Sequence, residues 1–197
     1  MRKFFVTDIH GDDTALDILL RHVSFDPAKD QLVVGGDLID RGKESGKVVK
    51  RIKLLQEQYP ENIFAVIGNH EEMMMWFLES KSRMWLLHGG LDAIRSFKKT
   101  FATERELQEH IEWLSKLPLI VEDDEYVYTH AGLNPYRPLD QQSRDILWMD
   151  ESEFYGFSRE DLLKLTGGKP IIHGHTPVEY IWFDGARMNC DMGSHTY

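Results

Sequence analysis

The sequence predicts an α/β protein in which two β-sheets pack together with helices on the outside. Apolar runs typical of strands alternate with helical patterns in the first part of the chain, a helical middle follows, and the last part is again rich in strand-like runs. The chain has 197 residues, and domains commonly have about 100–200 residues. We therefore expect residues 1–197 to form a single domain.

The first part of the chain has the pattern β-α-β-α-β. Buried strands are predicted at residues 3–7, 31–35 and 62–67, with helices at residues 13–22 and 44–58 between them. Short connections of this kind favour a parallel sheet with right-handed crossovers.

The rest of the chain is predicted to change from helices to strands. Helices are expected at residues 71–79, 91–97 and 103–117, and strands at residues 119–122, 126–129, 170–173, 180–183 and 186–190. Thr103 has the character of a helix N-cap, because Glu106 stands at the third helical position. Asp184-Gly185 is a turn signal, which predicts a hairpin between the last two strands.

The composition excludes several classes of protein. With 23 Lys+Arg against 33 Asp+Glu the formal charge is −10, which argues against general nucleic-acid binding because phosphates would be repelled. No apolar run approaches the roughly 18 residues of a membrane span, so no membrane partner is expected. The N-terminus lacks the pattern of a signal peptide, and the single cysteine, Cys190, fits a reducing compartment. The sequence predicts a cytoplasmic protein.

Polar side chains follow each of the first three predicted strands directly. In chain order they are Asp8, His10, Asp37, Asp40, Arg41, Asn69 and His70. Ligand sites in open α/β sheets form at the carboxyl ends of the strands, so we expect these three loops to converge. Asp8 and His10 are two residues apart, which on an extended backbone places both side chains on one face.

Two later strand ends add imidazoles, His130 in one and the pair His173 and His175 in the other. Carboxylate and amide oxygens with imidazoles, and no thiolate, suit Mn, Fe or Zn better than Ca or Mg. Taken singly, each residue has an ordinary structural explanation, such as a helix cap for Asn69. Their occurrence together, each after an apolar strand, favours a metal site.

These residues lie in five motifs that resemble the signature blocks of the phosphoprotein-phosphatase family of metallophosphoesterases. The motifs are Asp8-Ile9-His10-Gly11, Gly36-Asp37-Leu38-Ile39-Asp40-Arg41-Gly42, Gly68-Asn69-His70-Glu71, His130-Ala131-Gly132 and His173-Gly174-His175-Thr176-Pro177. The chain is most similar to the small bacterial and phage serine/threonine protein phosphatases of the lambda phosphatase type and to related diadenosine tetraphosphatases. The resemblance implies one calcineurin-like metallophosphoesterase domain, built as a four-layer α/β/β/α sandwich of two mixed β-sheets.

The resemblance also implies a role for each matched residue. Two divalent metal ions, with manganese as the first expectation and iron or zinc as alternatives, would be held by Asp8, His10, Asp37, Asn69, His130 and His175. Asp37 would bridge both ions. His70 would be the general acid with Asp40 as its partner, and Arg41 and Asn69 would bind the substrate phosphate. His173 is expected to support a ligand from behind, with metal binding as the alternative.

The implied reaction is hydrolysis of phosphate monoesters through attack of a metal-bridged hydroxide on phosphorus. A serine/threonine protein phosphatase is the first expectation, a diadenosine tetraphosphate hydrolase the alternative, and a non-catalytic phosphate-binding module the third. The substrate would be a phosphoprotein or a nucleotide-type phosphate. One departure from the family pattern is Asp150, which stands where relatives often have a phosphate-binding arginine. Arg144 and Arg159 are the candidates to replace it, and the alternative is that this second phosphate contact is absent.

Overall fold

The computed structural model describes residues 1–194, in which the strands form two sheets. The first sheet contains β1 (Lys3–Val6), β2 (Gln31–Val34) and β3 (Ile63–Ala65), in the order β1-β2-β3 and all parallel. The second contains β4 (Ile120–Glu122), β5 (Val127–Thr129), β6 (Ile171–His173) and β7 (Arg187–Asn189). In that sheet β4 and β5 are antiparallel, whereas β5, β6 and β7 run parallel.

Seven α-helices are present in the same range. They are α1 (Asp13–His22), α2 (Ser45–Gln58), α3 (Asn69–Leu78), α4 (Leu91–Thr100), α5 (Glu104–Ser115), α6 (Glu151–Gly156) and α7 (Arg159–Leu165). A π-helical turn at Leu86–Gly90 precedes α4, and two short 3-10 helices lie at Leu139–Gln141 and Arg144–Trp148. None of the helices in residues 1–194 is long and apolar enough to span a membrane.

Side chains along strand β2 point alternately into two different hydrophobic clusters, one on each face of the first sheet. Leu32 and Val34 belong to a cluster with the helical residues Val48 and Ile52, whereas Val33 belongs to a different cluster with Tyr128 and Ile172 of the second sheet. Successive side chains of a strand point to opposite faces. One face of the first sheet therefore packs on helices and the other on the second sheet.

The second sheet alternates in the same way. Tyr128 and Ile172 face the first sheet, where the ring of Phe5 stacks on that of Tyr128 with centroids 5.8 Å apart. Val127 and Ile171 face outward, in a cluster that includes Phe154 of α6 and Leu162 of α7. The four layers are therefore helices, sheet, sheet and helices, which confirms the predicted fold class. The first sheet is wholly parallel over the described residues, so only the second is mixed.

The structure confirms most predicted elements and corrects the end of the chain. Thr103 caps α5 by accepting a hydrogen bond from the Glu106 N–H at 3.1 Å. The strand predicted at residues 180–183 is absent, and Phe183 makes only an isolated bridge to Met188. Residues 180–183 are all exposed, so this run lacks the buried face that stabilises a hairpin strand.

Candidate active site

The loops after the strands are hydrogen-bonded to one another at one end of both sheets. The N–H of His10 donates to the carbonyl of Asp37 at 2.9 Å, which joins the loops after β1 and β2. The N–H of His175 donates to Asp8 Oδ2 at 2.9 Å, and the N–H of Gly174 donates to the carbonyl of His130 at 2.7 Å. The bond to Asp8 connects the first sheet to the second, and the bond to His130 joins two loops of the second sheet, so residues distant in sequence meet at one point.

The backbone of these loops is held in a conformation that side chains disfavour. Eight non-glycine residues in residues 1–194 have positive φ, and six of them are predicted site residues. These six are Asp8, His10, Asp37, Asp40, Arg41 and His175, with φ between 46° and 75°. Such conformations cost about 1–3 kcal/mol each and persist where the surrounding structure enforces them. Their concentration here marks the region as a functional site.

Asp37 lies at the centre of the site and is buried. Its Oδ2 is 3.6 Å from His10 Nε2 and 3.8 Å from His70 Nε2, and its Oδ1 is 3.6 Å from His130 Nε2. Asp37 therefore belongs to two groups of potential metal ligands, one with His10 and His70 and one with His130 and His175. Within each group the ligand atoms all lie within 4.8 Å of one another.

Backbone carbonyls fix which ring nitrogens face Asp37. His10 Nδ1 lies 3.0 Å from the carbonyl of Ile39, and His130 Nδ1 lies 2.8 Å from the carbonyl of Gly35. A carbonyl only accepts, so each Nδ1 carries a hydrogen and the Nε2 of the neutral ring presents a lone pair. Metal-bound histidines are usually oriented by such a bond from the other ring nitrogen.

The donor atoms around His130 fit a cation. His130 Nε2 lies 2.9 Å from Asn69 Oδ1 and 3.1 Å from His175 Nδ1, and Asp37 Oδ1 is beside it. Burial alone would lower the pKa of His130, but the carboxylates of Asp37 and Asp8 raise it. These groups therefore favour positive charge at this point, which a divalent ion bound by oxygen and imidazole ligands would supply.

Burial also keeps two of the histidines neutral. It lowers the pKa of His10 to about 3 and that of His175 to about 4. Asp37 remains ionised, because the neighbouring histidines lower its pKa although burial alone would raise it. A neutral imidazole beside an ionised carboxylate is the state in which both bind metal.

Asp8 is close to these groups but belongs to neither. Its Oδ2 accepts hydrogen bonds from Thr7 Oγ1 at 2.6 Å and from the His175 N–H at 2.9 Å. Burial raises the pKa of Asp8 to about 7. The structure thus places Asp8 between the two sheets, whereas His70 takes the third place beside His10 and Asp37.

His70 and Asp40 form a close pair at the edge of the site. His70 Nδ1 lies 2.6 Å from Asp40 Oδ2, and both side chains are buried. Burial alone would lower the pKa of His70, but the carboxylates of Asp37 and Asp40 raise it. Burial in turn raises the pKa of Asp40. The sequence did not indicate that Trp85 Nε1 donates to the same carboxylate.

Glu71 holds two of the site's loops together through hydrogen bonds to their backbone, a role that was not predicted from the sequence. Its carboxylate accepts from the N–H groups of Gly68, Asp37 and Leu38 at 2.9 Å each and of Ile39 at 3.3 Å. Burial raises its pKa to about 7. Glu71 therefore joins the loops after β2 and β3, and its position directly after Asn69-His70 was the available signal.

The cationic side chains occupy different positions. Arg41 is exposed and forms no ion pair or hydrogen bond with residues 1–194 through its guanidinium, so it is free to contact a ligand. Arg144 lies 3.8 Å from Glu72, and Arg159 lies 3.7 Å from Asp184. Asp150 caps α6 by accepting from the Glu153 N–H at 2.9 Å.

His173 contacts different groups from His175. Its ring packs edge-on against Phe154 with centroids 5.0 Å apart, and its Nε2 lies 3.4 Å from the Tyr155 hydroxyl. Burial lowers its pKa to about 3. Strand β6 ends at His173, and His175 has a φ of 75°, so the two rings diverge. His173 is in neither group of potential metal ligands.

Comparisons with known proteins agree with this geometry. The family model for calcineurin-like phosphoesterases matches residues 1–191. A symmetrical bis(5'-nucleosyl)-tetraphosphatase from Vibrio parahaemolyticus is 33% identical over 98% of this chain and 73% of its own length. Serine/threonine-protein phosphatase 2 from Salmonella typhimurium is 29% identical over 96% of this chain and 86% of its own.

The fold is shared with a solved serine/threonine phosphatase from Saccharomyces cerevisiae, with a TM-score of 0.72 at 21% identity, covering 97% of this chain and 70% of that one. The chain spans about half the length of some relatives, such as 48% of the Vibrio campbellii tetraphosphatase. The prediction of a phosphoesterase enzyme is confirmed at the level of the family, in which divalent metal ions are used. The chain belongs to the calcineurin-like phosphoesterase family.

Proposed function

We propose that this protein hydrolyses dinucleoside polyphosphates such as diadenosine tetraphosphate with two divalent metal ions. The observation that carries the metal dependence is the pair of ligand groups that share Asp37. We assign the ions to Asp8, His10, Asp37, Asn69, His130 and His175, with manganese as the first candidate. Of the two groups, His70 is therefore reserved for proton donation, and Asp8, which lies outside both, takes its place as a ligand. When bound there, two such ions would activate water and offset charge on the phosphoryl group.

The remaining residues are assigned to the leaving group and the substrate phosphate. His70, held by Asp40 at 2.6 Å, donates a proton to the leaving oxygen. Arg41 binds oxygens of the phosphoryl group, since its guanidinium is free and its planar fork matches two of them. Asn69 combines its role as a ligand with a contact to phosphate through its amide nitrogen.

A polyphosphate substrate is supported by the surroundings of Arg41. A cavity of about 410 Å³ beside it is lined by Gly11, Asp12, Arg41, Gly42, Lys43 and Glu44. Lys43 is exposed and, like Arg41, has no ion pair within residues 1–194. The two carboxylates of the cavity are engaged elsewhere, Glu44 with Lys47 and Asp12 with the Ala15 N–H of α1. Two cations along one cavity suit a chain of phosphates better than a single ester. The relatives named tetraphosphatases point the same way and favour the alternative of the sequence analysis over its first expectation.

The experiment compares three substrates with added Mn²⁺: diadenosine tetraphosphate, a phosphoserine peptide and 4-nitrophenyl phosphate. We expect the highest kcat/KM on the dinucleotide. Lys43→Ala should raise the KM for the dinucleotide roughly tenfold, as expected for loss of a charge-assisted contact, and leave 4-nitrophenyl phosphate unchanged. Lys50→Ala, which removes an exposed lysine paired with Glu106, is the control. Turnover of the peptide alone would refute the proposed substrate.

A second candidate is hydrolysis of phosphoserine and phosphothreonine in proteins. The His70–Asp40 pair favours it, since a serine alkoxide is a poor leaving group that needs a proton. A phosphate-binding module without catalysis is the third candidate. Its only support is that this chain has Asp150 where relatives often have a phosphate-binding arginine. Hydrolysis of 4-nitrophenyl phosphate that is abolished by His70→Asn would dismiss that module.

A further inference from the structure

Trp85 contacts the His70–Asp40 pair from outside the five motifs. Its Nε1 donates to both oxygens of Asp40, at 2.8 Å to Oδ1 and 2.9 Å to Oδ2. His70 Nδ1 approaches the second of these oxygens at 2.6 Å. All three side chains are almost fully buried, with 2% of Trp85, 0% of Asp40 and 3% of His70 exposed. Asp40 therefore accepts hydrogen bonds from two side chains, His70 and Trp85, and the proposed function assigns no role to Trp85.

The segment that carries Trp85 is fixed against the same loop. Trp85 directly precedes the π-helical turn Leu86–Gly90, in which Gly89 has a φ of 107°. A Cβ on Gly89 would lie 2.6 Å from the backbone nitrogen of Arg41, and one on Gly90 would lie 2.6 Å from the Trp85 ring. The turn therefore packs closely on Asp40–Arg41 on one side and holds the indole on the other.

We propose that Trp85 is a positioning residue for proton transfer by His70, an inference that rests on the proposed function. The indole N–H holds the Asp40 carboxylate in the orientation that receives His70 Nδ1, and this directs His70 Nε2 towards the leaving oxygen. Water attacks phosphorus and forms the new P–O bond, losing a proton to the solvent, while the P–O bond to the leaving oxygen breaks. The electron pair of that bond goes to the leaving oxygen, and the proton moves there from His70 Nε2. Trp85 transfers no proton and touches no substrate.

The alternative is that Trp85 is only a core residue, because its ring also packs on Phe77 with centroids 5.4 Å apart. The two roles differ in how they depend on the leaving group. A packing defect would slow all substrates alike, whereas loss of proton donation slows esters of weakly acidic alcohols most. General acid catalysis typically raises the rate about 10²–10⁴-fold. Loss of one of the two hydrogen bonds to Asp40 should remove part of that rate enhancement.

The test is Trp85→Phe, which keeps an aromatic ring and removes the N–H. Phenyl phosphate and 4-nitrophenyl phosphate are compared with added Mn²⁺, since phenol is the poorer leaving group. We expect kcat for phenyl phosphate to fall about tenfold, with KM and the kcat for 4-nitrophenyl phosphate nearly unchanged. The matched control is Trp113→Phe, which removes an indole bond of 2.9 Å to Gln56 and should affect neither ester.

An equal loss on both esters, or no loss on either, would overturn the proposal. If Trp85→Phe does not fold, 3-benzothienylalanine at position 85 preserves the ring shape without the N–H and gives the same comparison. The double variant Trp85→Phe/Asp40→Asn should be no slower on phenyl phosphate than Asp40→Asn alone. If Asp40→Asn itself slows both esters equally, the proposed role of His70 fails, and that of Trp85, which depends on it, fails with it. A larger loss on phenyl phosphate in Asp40→Asn but not in Trp85→Phe would refute the role of Trp85 alone.

Discussion

At the scale of single residues, the site is built from groups that would be unfavourable elsewhere. Asp37 and Glu71 are carboxylates with almost no exposure to water, and burial of a charge is costly unless it is paired. Glu71 is compensated by four backbone N–H groups. Asp37 has the His70 N–H at 3.0 Å and three imidazoles, which leaves its charge available to cations.

Asp37→Asn is expected to weaken binding of both metal ions. Asp37 is the only acidic residue common to the two ligand groups found in residues 1–194, and an amide offers one neutral oxygen where the carboxylate offers two charged ones. Metal content measured after dialysis should fall from two ions per chain to fewer than one. A variant that still holds two ions would contradict the assignment of Asp37 as the bridge.

At the scale of elements, the turn before β7 contains a buried ion pair. Asp184 Oδ2 lies 2.9 Å from both Nε and Nη2 of Arg187, and 2% of the Asp184 and 3% of the Arg187 side chain is exposed. Asp184 Oδ1 accepts from the N–H groups of Ala186 and Arg187 at 2.8 Å. The guanidinium also lies 4.4 Å from the ring centre of Tyr155. This pair attaches β7 to the outer layer.

Asp184→Asn is expected to lower the free energy of unfolding by roughly 3–5 kcal/mol, because it leaves a buried guanidinium without its counter-charge. Asp92→Asn, which removes an exposed pair with Arg95, is the control and should cost at most about 1 kcal/mol. Chemical denaturation measures both. A loss at Asp184 no larger than that at Asp92 would show that the pair contributes little.

The same pair predicts how stability depends on pH. Burial alone would raise the pKa of Asp184, but the two N–H donors and Arg187 lower it below the ordinary 3.8. For a depressed carboxylate the stabilisation is present above the unfolded pKa and is lost as pH falls through the folded one. The stability difference between wild type and Asp184→Asn should therefore be constant well above pH 3.8 and shrink as the pH falls through 3.8 and below it.

The helices and strands differ in how well they could be predicted from the sequence. Strands β1 to β3 were predicted because they are short apolar runs, which the structure packs on both faces, and helices α1 and α2 because each has one regular apolar face. Helices α6 and α7 were missed, since with 6 and 7 residues they contain too few turns for a period to be recognised. Their caps, Asp150 and Ser158, were visible, but Asp150 was interpreted only as a replaced arginine.

Site residues that directly follow predicted strands could be predicted from the sequence. Contacts that depend on how the loops pack together could not. The convergence of the loops follows from the parallel sheet, and the five motifs supply the ligand types. That His70 rather than Asp8 stands beside His10 and Asp37 depends on the tertiary approach of two loops. The bond from Trp85 to Asp40 joins residues 45 apart through a kinked turn, and no local pattern specifies it.

At the scale of the whole molecule, the two sheets meet at two places of different character. Between them lies an apolar layer that includes Val33, Tyr128 and Ile172. Beyond the strand ends lie the ligand groups, in which Asp37 belongs to the first sheet's loops and His130 and His175 to the second's. Metal ions at this position would connect the sheets on one side, while hydrophobic burial connects them along the strands.

Metal binding is therefore expected to stabilise the whole fold without being required for it. An ion that binds only the folded state adds about 2.7 kcal/mol when its concentration is 100 times Kd. Protein freed of metal with a chelator should remain folded, because the apolar layers persist, and its Tm should rise steadily as Mn²⁺ is added. In Asp37→Asn the two ligand groups no longer share a carboxylate, so the Tm of this variant should rise much less when Mn²⁺ is added. If the wild-type Tm is the same with and without metal at saturating concentration, the ligand groups do not bind Mn²⁺ in the folded state, and the two-metal proposal fails with them.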